Sequence, residues 1–306
     1  MRAAEAVGRT LVGLGVSHVF GVVGSGNFHV TNAMVRAGAR FVAARHEGGA
    51  TTMADAYARM SGEVAAVTVH QGCGFTNTLT GLTEATKSRT PLVVLAADVT
   101  ERRSNFFVDQ QALTSSVGAT PLSLERGEDA VAMAARAFAL ARDERRTVVL
   151  NLPLQVQAAE CDEPPTLSPA ERSPESATAV APDQLDALLA CLDRARRPVF
   201  VAGRGARGAG CREALEALAE SCGALVGTSA VSKGLFHGNP WDIDVSGGFA
   251  TPLAVELITD ADLIVGWGCA LNMWTMRQGS LIGPDTVVAQ VDIDPDALGN
   301  HRDVQL

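Results

Sequence analysis

Short runs that are apolar at consecutive positions alternate, over about the first 155 residues, with segments apolar at every third or fourth position. The runs are "HVFGVV", "RFVAA", "VAAVTV", "PLVVLAA" and "TVVLNLP", and segments such as 77–87 and 129–142 lie between them. A strand apolar on both faces must be covered on both faces, so this alternation predicts a parallel sheet with helices on either side. Before the first run, Val7, Leu11 and Leu14 give one apolar helical face. A second series starts at residue 183: helix 183–195, strand "PVFVAG", helix 211–222, strand "ALVGT", helix 252–259, then strands "DLIVGWG" and "TVVAQVDID". Between the series, residues 156–182 lose all periodicity and hold Pro164, Pro165, Pro169, Pro174 and Pro182, a composition suited to an extended connector. The fold class expected is therefore α/β, with two doubly wound parallel-sheet domains over residues 1–160 and 183–306 and a linker over 161–182.

Composition narrows the range of partners. A chain of 306 residues, 47% hydrophobic, suffices for two buried cores. A formal net charge of −9 opposes a surface built to neutralise nucleic-acid phosphates or anionic lipid, and no apolar run is long enough to span a bilayer. Small molecules are the expected partners, with no nucleic acid and no membrane. The six cysteines show no C-x-x-C spacing and read as reduced thiols of a cytoplasmic protein. The aspartates of "VDIDPD" fit a calcium loop poorly, and no metal site is expected in this chain.

In a doubly wound sheet, ligands bind beyond the carboxyl ends of the strands. Four loops collect there in the first domain: "GVVGSGN" with Gly24, Ser25 and Gly26; "RHEGG" with Glu47; "VHQGCGFTN" with His70, Gln71, Gly72, Gly74 and Asn77; and "DVTERRSNFFVDQQ" with Gln110. Each polar residue has an ordinary reading. Glu47 suits the first turn of a helix, His70 a satisfied strand end, Ser25 a turn bond and Gln110 a helix start. In the second domain Gly203, Gly205 and Gly208 form G-x-G-x-x-G between a strand and a helix, the setting for a nucleotide pyrophosphate. The acidic residue expected at the end of the next strand to hold a ribose is missing from "ALVGTSA". A structural turn and an FAD or ADP site both stand as readings of those glycines.

Taken together, "VFGVVGSGN", "ARHEGGATTMADAYARMSG", "HQGCGFTNTLTGLTEATKSRTPLVVLAAD" and "DQQAL" resemble, in order, the pyrimidine-binding domain of thiamine-diphosphate enzymes, the family of acetolactate synthase and benzoylformate decarboxylase. Residues 183–298 resemble that family's central domain, which binds FAD or ADP in some members and is structural in others. The resemblance implies that Glu47 bonds N1′ of the coenzyme's aminopyrimidine from a low-dielectric crevice and drives removal of the thiazolium C2 proton. It implies that Ser25, His70, Gln71 and Gln110 line the reaction space, and that Gly24, Gly26, Gly72, Gly74 and Asn77 contact the coenzyme. His70 and Ser25 match the benzoylformate decarboxylase branch, Gln110 the synthases, and Cys73 stands where the synthases commonly have proline.

The family's third domain carries G-D-G and a later asparagine, which hold magnesium and the diphosphate; no such motif occurs in these 306 residues. The expected function is thus the N-terminal part or subunit of a thiamine-diphosphate-dependent lyase or transferase, a 2-keto acid decarboxylase or carboligase like acetolactate synthase. It is expected to need a diphosphate-binding domain or subunit with Mg²⁺, in a homo- or hetero-oligomer at least dimeric. The alternative is a non-catalytic FAD- or ADP-binding or regulatory partner module.

Overall fold

The computed structural model describes residues 1–165 and 180–306; most of the expected connector lies outside the described residues. The chain divides into two compact units, Met1–Arg172 and Ser173–Leu306.

In the first unit six strands, β1 (His18–Gly21), β2 (Arg40–Ala43), β3 (Ala65–Val69), β4 (Leu92–Asp98), β5 (Thr120–Ser123) and β6 (Thr147–Pro153), form one sheet in the order β2-β1-β3-β4-β6-β5. Every pairing is parallel. The consecutive apolar runs produce this arrangement directly. Val19, Ala66, Val93, Leu95, Val148 and Leu150 pack to one face against helices Ala3–Gly13, Phe28–Arg36 and Ala130–Asp143. Phe20, Ala65, Val67, Val94 and Ala96 pack to the other against helices Glu47–Ser61 and Leu79–Lys87. Alternate residues of one strand thus feed two cores, which is why the strands lack an alternating polar face. The chain start is stitched to the end of this unit: Cys161 N donates to Met1 O, Ala3 N donates to Ala159 O, and Arg2 pairs with Glu160 in an antiparallel bridge. The stretch that loses periodicity at residue 156 therefore begins inside the folded unit.

The second unit holds β7 (Pro198–Ala202), β8 (Leu225–Thr228), β9 (Asp242–Val245), β10 (Leu263–Trp267) and β11 (Val287–Val291), all parallel, in the order β11-β10-β7-β8-β9. Its opening helix, Pro182–Arg194, carries proline in its first position, where the missing N–H costs nothing. Asp262, just before β10, accepts from the backbone N–H groups of Arg196 and Arg197 at 2.8 and 2.9 Å. Burial opposes its charge, yet these two donors hold its carboxyl below the usual range. No described helix is long and apolar enough to cross a membrane.

Strand order reverses between β1 and β3 in the first unit, whose sheet reverses again at its β6-β5 edge, and between β7 and β10 in the second. Loops leaving two such strands turn away in opposite directions, which opens a crevice at the carboxyl end.

Candidate active site

At the reversal point of the first unit the loops after β1 and β3 meet side chain to side chain. Ser25 Oγ lies 3.2 Å from His70 Nε2, and His70 Nδ1 lies 3.2 Å from the carbonyl oxygen of Gln71. A carbonyl only accepts, so Nδ1 carries a proton and donates to Gln71 O, while Nε2 faces the Ser25 hydroxyl. Beneath this pair, fully buried Asn27 fixes the Ser25 loop. Its Oδ1 accepts from Gly24 N at 2.8 Å, while its Nδ2 donates to Val22 O and to Thr68 Oγ1.

Glu47 opens helix Glu47–Ser61 after β2, where its charge complements the helix dipole. Before it, His46 Nδ1 accepts from Gly48 N at 3.0 Å and caps the helix. Asn77 Nδ2 donates to Glu47 Oε2 at 2.9 Å. Glu47 Oε1 lies 3.4 Å from where a side-chain carbon on Gly74 would sit, and the His70 Cβ lies 2.9 Å from the same point. Glu47 and His70 therefore flank one glycine. Within its own unit Glu47 is half-buried rather than enclosed, because Asn77 and Gly49 beside it are open to solvent.

The remaining expected residues divide between this surface and the scaffold below it. A side-chain carbon on Gly24 would strike the His70 ring, and one on Gly26 would lie 2.0 Å from Gln71 Oε1. Gln71 is itself buried, and its Oε1 has no partner. Gly72 takes φ +64°, and its N–H donates to Gln110 Oε1 at 3.2 Å. Gln110 does not line the crevice: it is 2% exposed, and its amide donates to Ala97 O and to Asn151 Oδ1. Instead it holds the Gly72 loop from beneath. Cys73 and Phe106 stand exposed at the rim, with the Phe106 ring centroid 5.6 Å from that of His70. Close by at the end of β4, burial pushes the Asp98 carboxyl up, partly offset by the Val99 N–H, and Asp109 adds repulsion. Sequence reasoning assigned no role to Asn27 or Asn151. A signal was present for Asn151, a lone amide within the apolar run "TVVLNLP".

The reversal point of the second unit is closed. Gly203 N donates to Trp267 O at 2.8 Å and Gly205 N to Gly268 O at 3.1 Å, so backbone fills the space between the two loops. A side-chain carbon on Gly203 would lie 2.2 Å from Gly268 O. Gly203 and Gly205 thus serve backbone contact, and Gly208 packs near Cys211 Sγ. Cys269 behind them is buried, and its thiol is pushed up to about 11 by desolvation. An open cavity of about 490 Å³ lies elsewhere in this unit, lined by Gly248, Met273, Trp274, Arg277, Gln278 and Ser280. Among the described residues no group of three or more His, Cys, Asp or Glu gathers to hold a metal.

Residues 1–120 match the family model for the N-terminal TPP-binding domain of thiamine pyrophosphate enzymes, and residues 185–306 match the model for their central domain. The chain belongs to the thiamine pyrophosphate enzymes. Among the curated relatives of this thiamine pyrophosphate enzyme chain, a probable 2-ketoarginine decarboxylase of Pseudomonas aeruginosa is 34% identical over 96% of the chain and 53% of its own length. A sulfoacetaldehyde acetyltransferase of Castellaniella defragrans is 30% identical over 98% and 51%. An acetolactate synthase large subunit of Buchnera aphidicola is 28% identical over 97% and 54%. The chain thus spans about half the length of the curated relatives it matches. Its first-unit crevice fits the pyrimidine end of thiamine diphosphate: a carboxylate oxygen stands beside Gly74, and nothing within 4 Å occupies the side-chain position of Gly49.

Proposed function

We propose that this chain supplies the pyrimidine-binding and central domains of a thiamine-diphosphate-dependent enzyme that decarboxylates a 2-keto acid or joins it to an acceptor. The observation that carries the proposal is Glu47, with one oxygen bonded to Asn77 and the other beside Gly74, on the same glycine that His70 flanks. When bound, thiamine diphosphate supplies a nucleophilic thiazolium carbon and an electron sink for cleavage next to a carbonyl. Glu47 Oε1 binds the aminopyrimidine and shares a proton with it. His70 Nε2, the ring nitrogen facing Ser25, moves a proton to or from the reacting group once the Ser25 hydroxyl turns from it to the substrate carboxylate. Gln110 contributes at one remove, through the Gly72 loop. The diphosphate and Mg²⁺ are held by a further domain, on the same polypeptide or a partner, in an assembly at least dimeric whose facing surface encloses Glu47. Closure of the second crevice supports a structural central domain over an FAD or ADP site at Gly203, Gly205 and Gly208.

The test is Glu47→Gln in the enzyme assembled with its diphosphate-binding domain. Turnover of a 2-keto acid is expected to fall by about 10²–10⁴-fold, the usual contribution of a positioned proton donor, with the fold unchanged by circular dichroism. Undiminished turnover defeats the proposal.

A further inference from the structure

We infer that Asn77 is a positioning residue for Glu47, selecting which carboxylate oxygen is presented to the crevice. This rests on the role of Glu47 proposed above. A glutamate at the first position of a helix keeps rotational freedom about three side-chain torsions, and its two oxygens are equivalent until a neighbour distinguishes them. Asn77 supplies that distinction. Its Nδ2 donates to Glu47 Oε2 at 2.9 Å, leaving Oε1 as the oxygen beside Gly74.

The donor is itself fixed by backbone. Asn77 ends the short helix Cys73–Thr76, its N–H donates to Cys73 O at 3.1 Å, and its carbonyl oxygen lies 3.0 Å from where a side-chain carbon on Gly48 would sit. Gly48 follows Glu47 directly, so the loop after β3 is pressed against the start of the Glu47 helix at two points: backbone against Gly48 and side chain against Glu47. The peptide carbonyl of Asn77 thus sets the distance between the two elements while its amide sets the carboxylate rotamer. Gly74, one helical turn before Asn77, keeps the space beside Oε1 free. The family resemblance assigns Asn77 to the coenzyme itself, but the structure assigns its donor to the carboxylate.

The experiment is a double-mutant cycle, with Asn77→Ala and Asn77→Asp made alone and with Glu47→Gln in the assembled enzyme. The readouts are exchange of the C2 proton of thiamine diphosphate, kcat, KM and coenzyme affinity. Asn77→Ala is expected to slow C2-proton exchange and kcat by about ten-fold, as for loss of one hydrogen bond to a charged group, with KM unchanged. Asn77→Asp, which sets a second carboxylate against the first, is expected to slow both further. In the Glu47→Gln background neither change should add a further loss, because residues acting as a unit are non-additive. A readout free of coenzyme accompanies the cycle: in the ligand-free 306-residue chain the Asn77 side-chain amide protons should be slowed in solvent exchange, and Glu47→Ala should abolish that protection. Losses that add fully across the cycle, an unchanged exchange rate in Asn77→Ala, or unprotected Asn77 amide protons would each overturn the inference while leaving the function intact. Unchanged turnover in Glu47→Gln would bring down the function as well.

Discussion

The two units share a class of sheet, a parallel strand order that reverses beside the first strand of each unit, and glycine-rich loops at that point, yet they use those glycines in opposite ways. In the first, Gly24, Gly26 and Gly74 let the loops approach the side chains of His70, Gln71 and Glu47, and the space beside Gly49 is open. In the second, Gly203 and Gly205 let one backbone lie on another, with Gly205 N donating to Gly268 O. A glycine signature after a parallel strand states only that something comes close. Whether that is a ligand, a functional side chain or the next loop depends on the partner loop, which lies 65 residues further along in the second unit and is invisible in the motif itself.

The contrast can be stressed most strongly with alkali. A buried thiol raised from 9.0 to about 11 favours the folded state fully below pH 9, and that contribution fades as pH climbs to 11 and the folded state must also ionise it. The loss is on the order of 2–3 kcal/mol, at about 1.4 kcal/mol per pH unit. Trp241, Trp267 and Trp274, all the tryptophans of the chain, lie in the second unit. Denaturant unfolding followed by tryptophan fluorescence should therefore weaken between pH 9 and 11, and Cys269→Ala should flatten that slope. A slope that Cys269→Ala leaves unaltered would separate the closed crevice from the titration.

Gly203→Ala strikes the same closure sterically. With a new carbon 2.2 Å from the Gly268 oxygen, the tryptophan-monitored transition should lose about 1–3 kcal/mol. A variant of native stability would show that the loops can part, and would reopen the case for a ligand between them. The smallest effect is expected at Gly49. Alanine there meets nothing within 4 Å and removes a helical glycine, so thermal stability should rise by about 0.5–1 kcal/mol while coenzyme affinity in the assembled enzyme falls. If both improve, the open face of the Glu47 helix is not where the pyrimidine lies.

Legibility from sequence followed burial. β3, β4, β6 and β7 are buried along nearly their whole length, and their unbroken apolar runs announce them. β5 and β9 went unseen because each is a four-residue edge strand, half-covered and mixed in composition: "TPLS" and "DIDV". Along the Glu47 helix apolar Met53 is 37% exposed, whereas polar Thr51 and Asp55 are buried. Asp55 tolerates burial because Arg59 and Thr90 satisfy its oxygens, a tie that periodicity cannot register. At the site, the grouping of Ser25, His70 and Glu47 was readable because the loops that carry them all leave the same end of the sheet. The buried position of Gln110 was not, since it is fixed by Asn151, 41 residues away. An amide named in a motif carries no mark of which way it faces.

The stitching of Met1 to Cys161 gives the first unit a seam rather than two loose ends. A segment whose beginning and finish lie side by side can be moved as a cassette: cut out, inserted in another chain, or rejoined end to end and reopened at a surface turn, with all six strands travelling together.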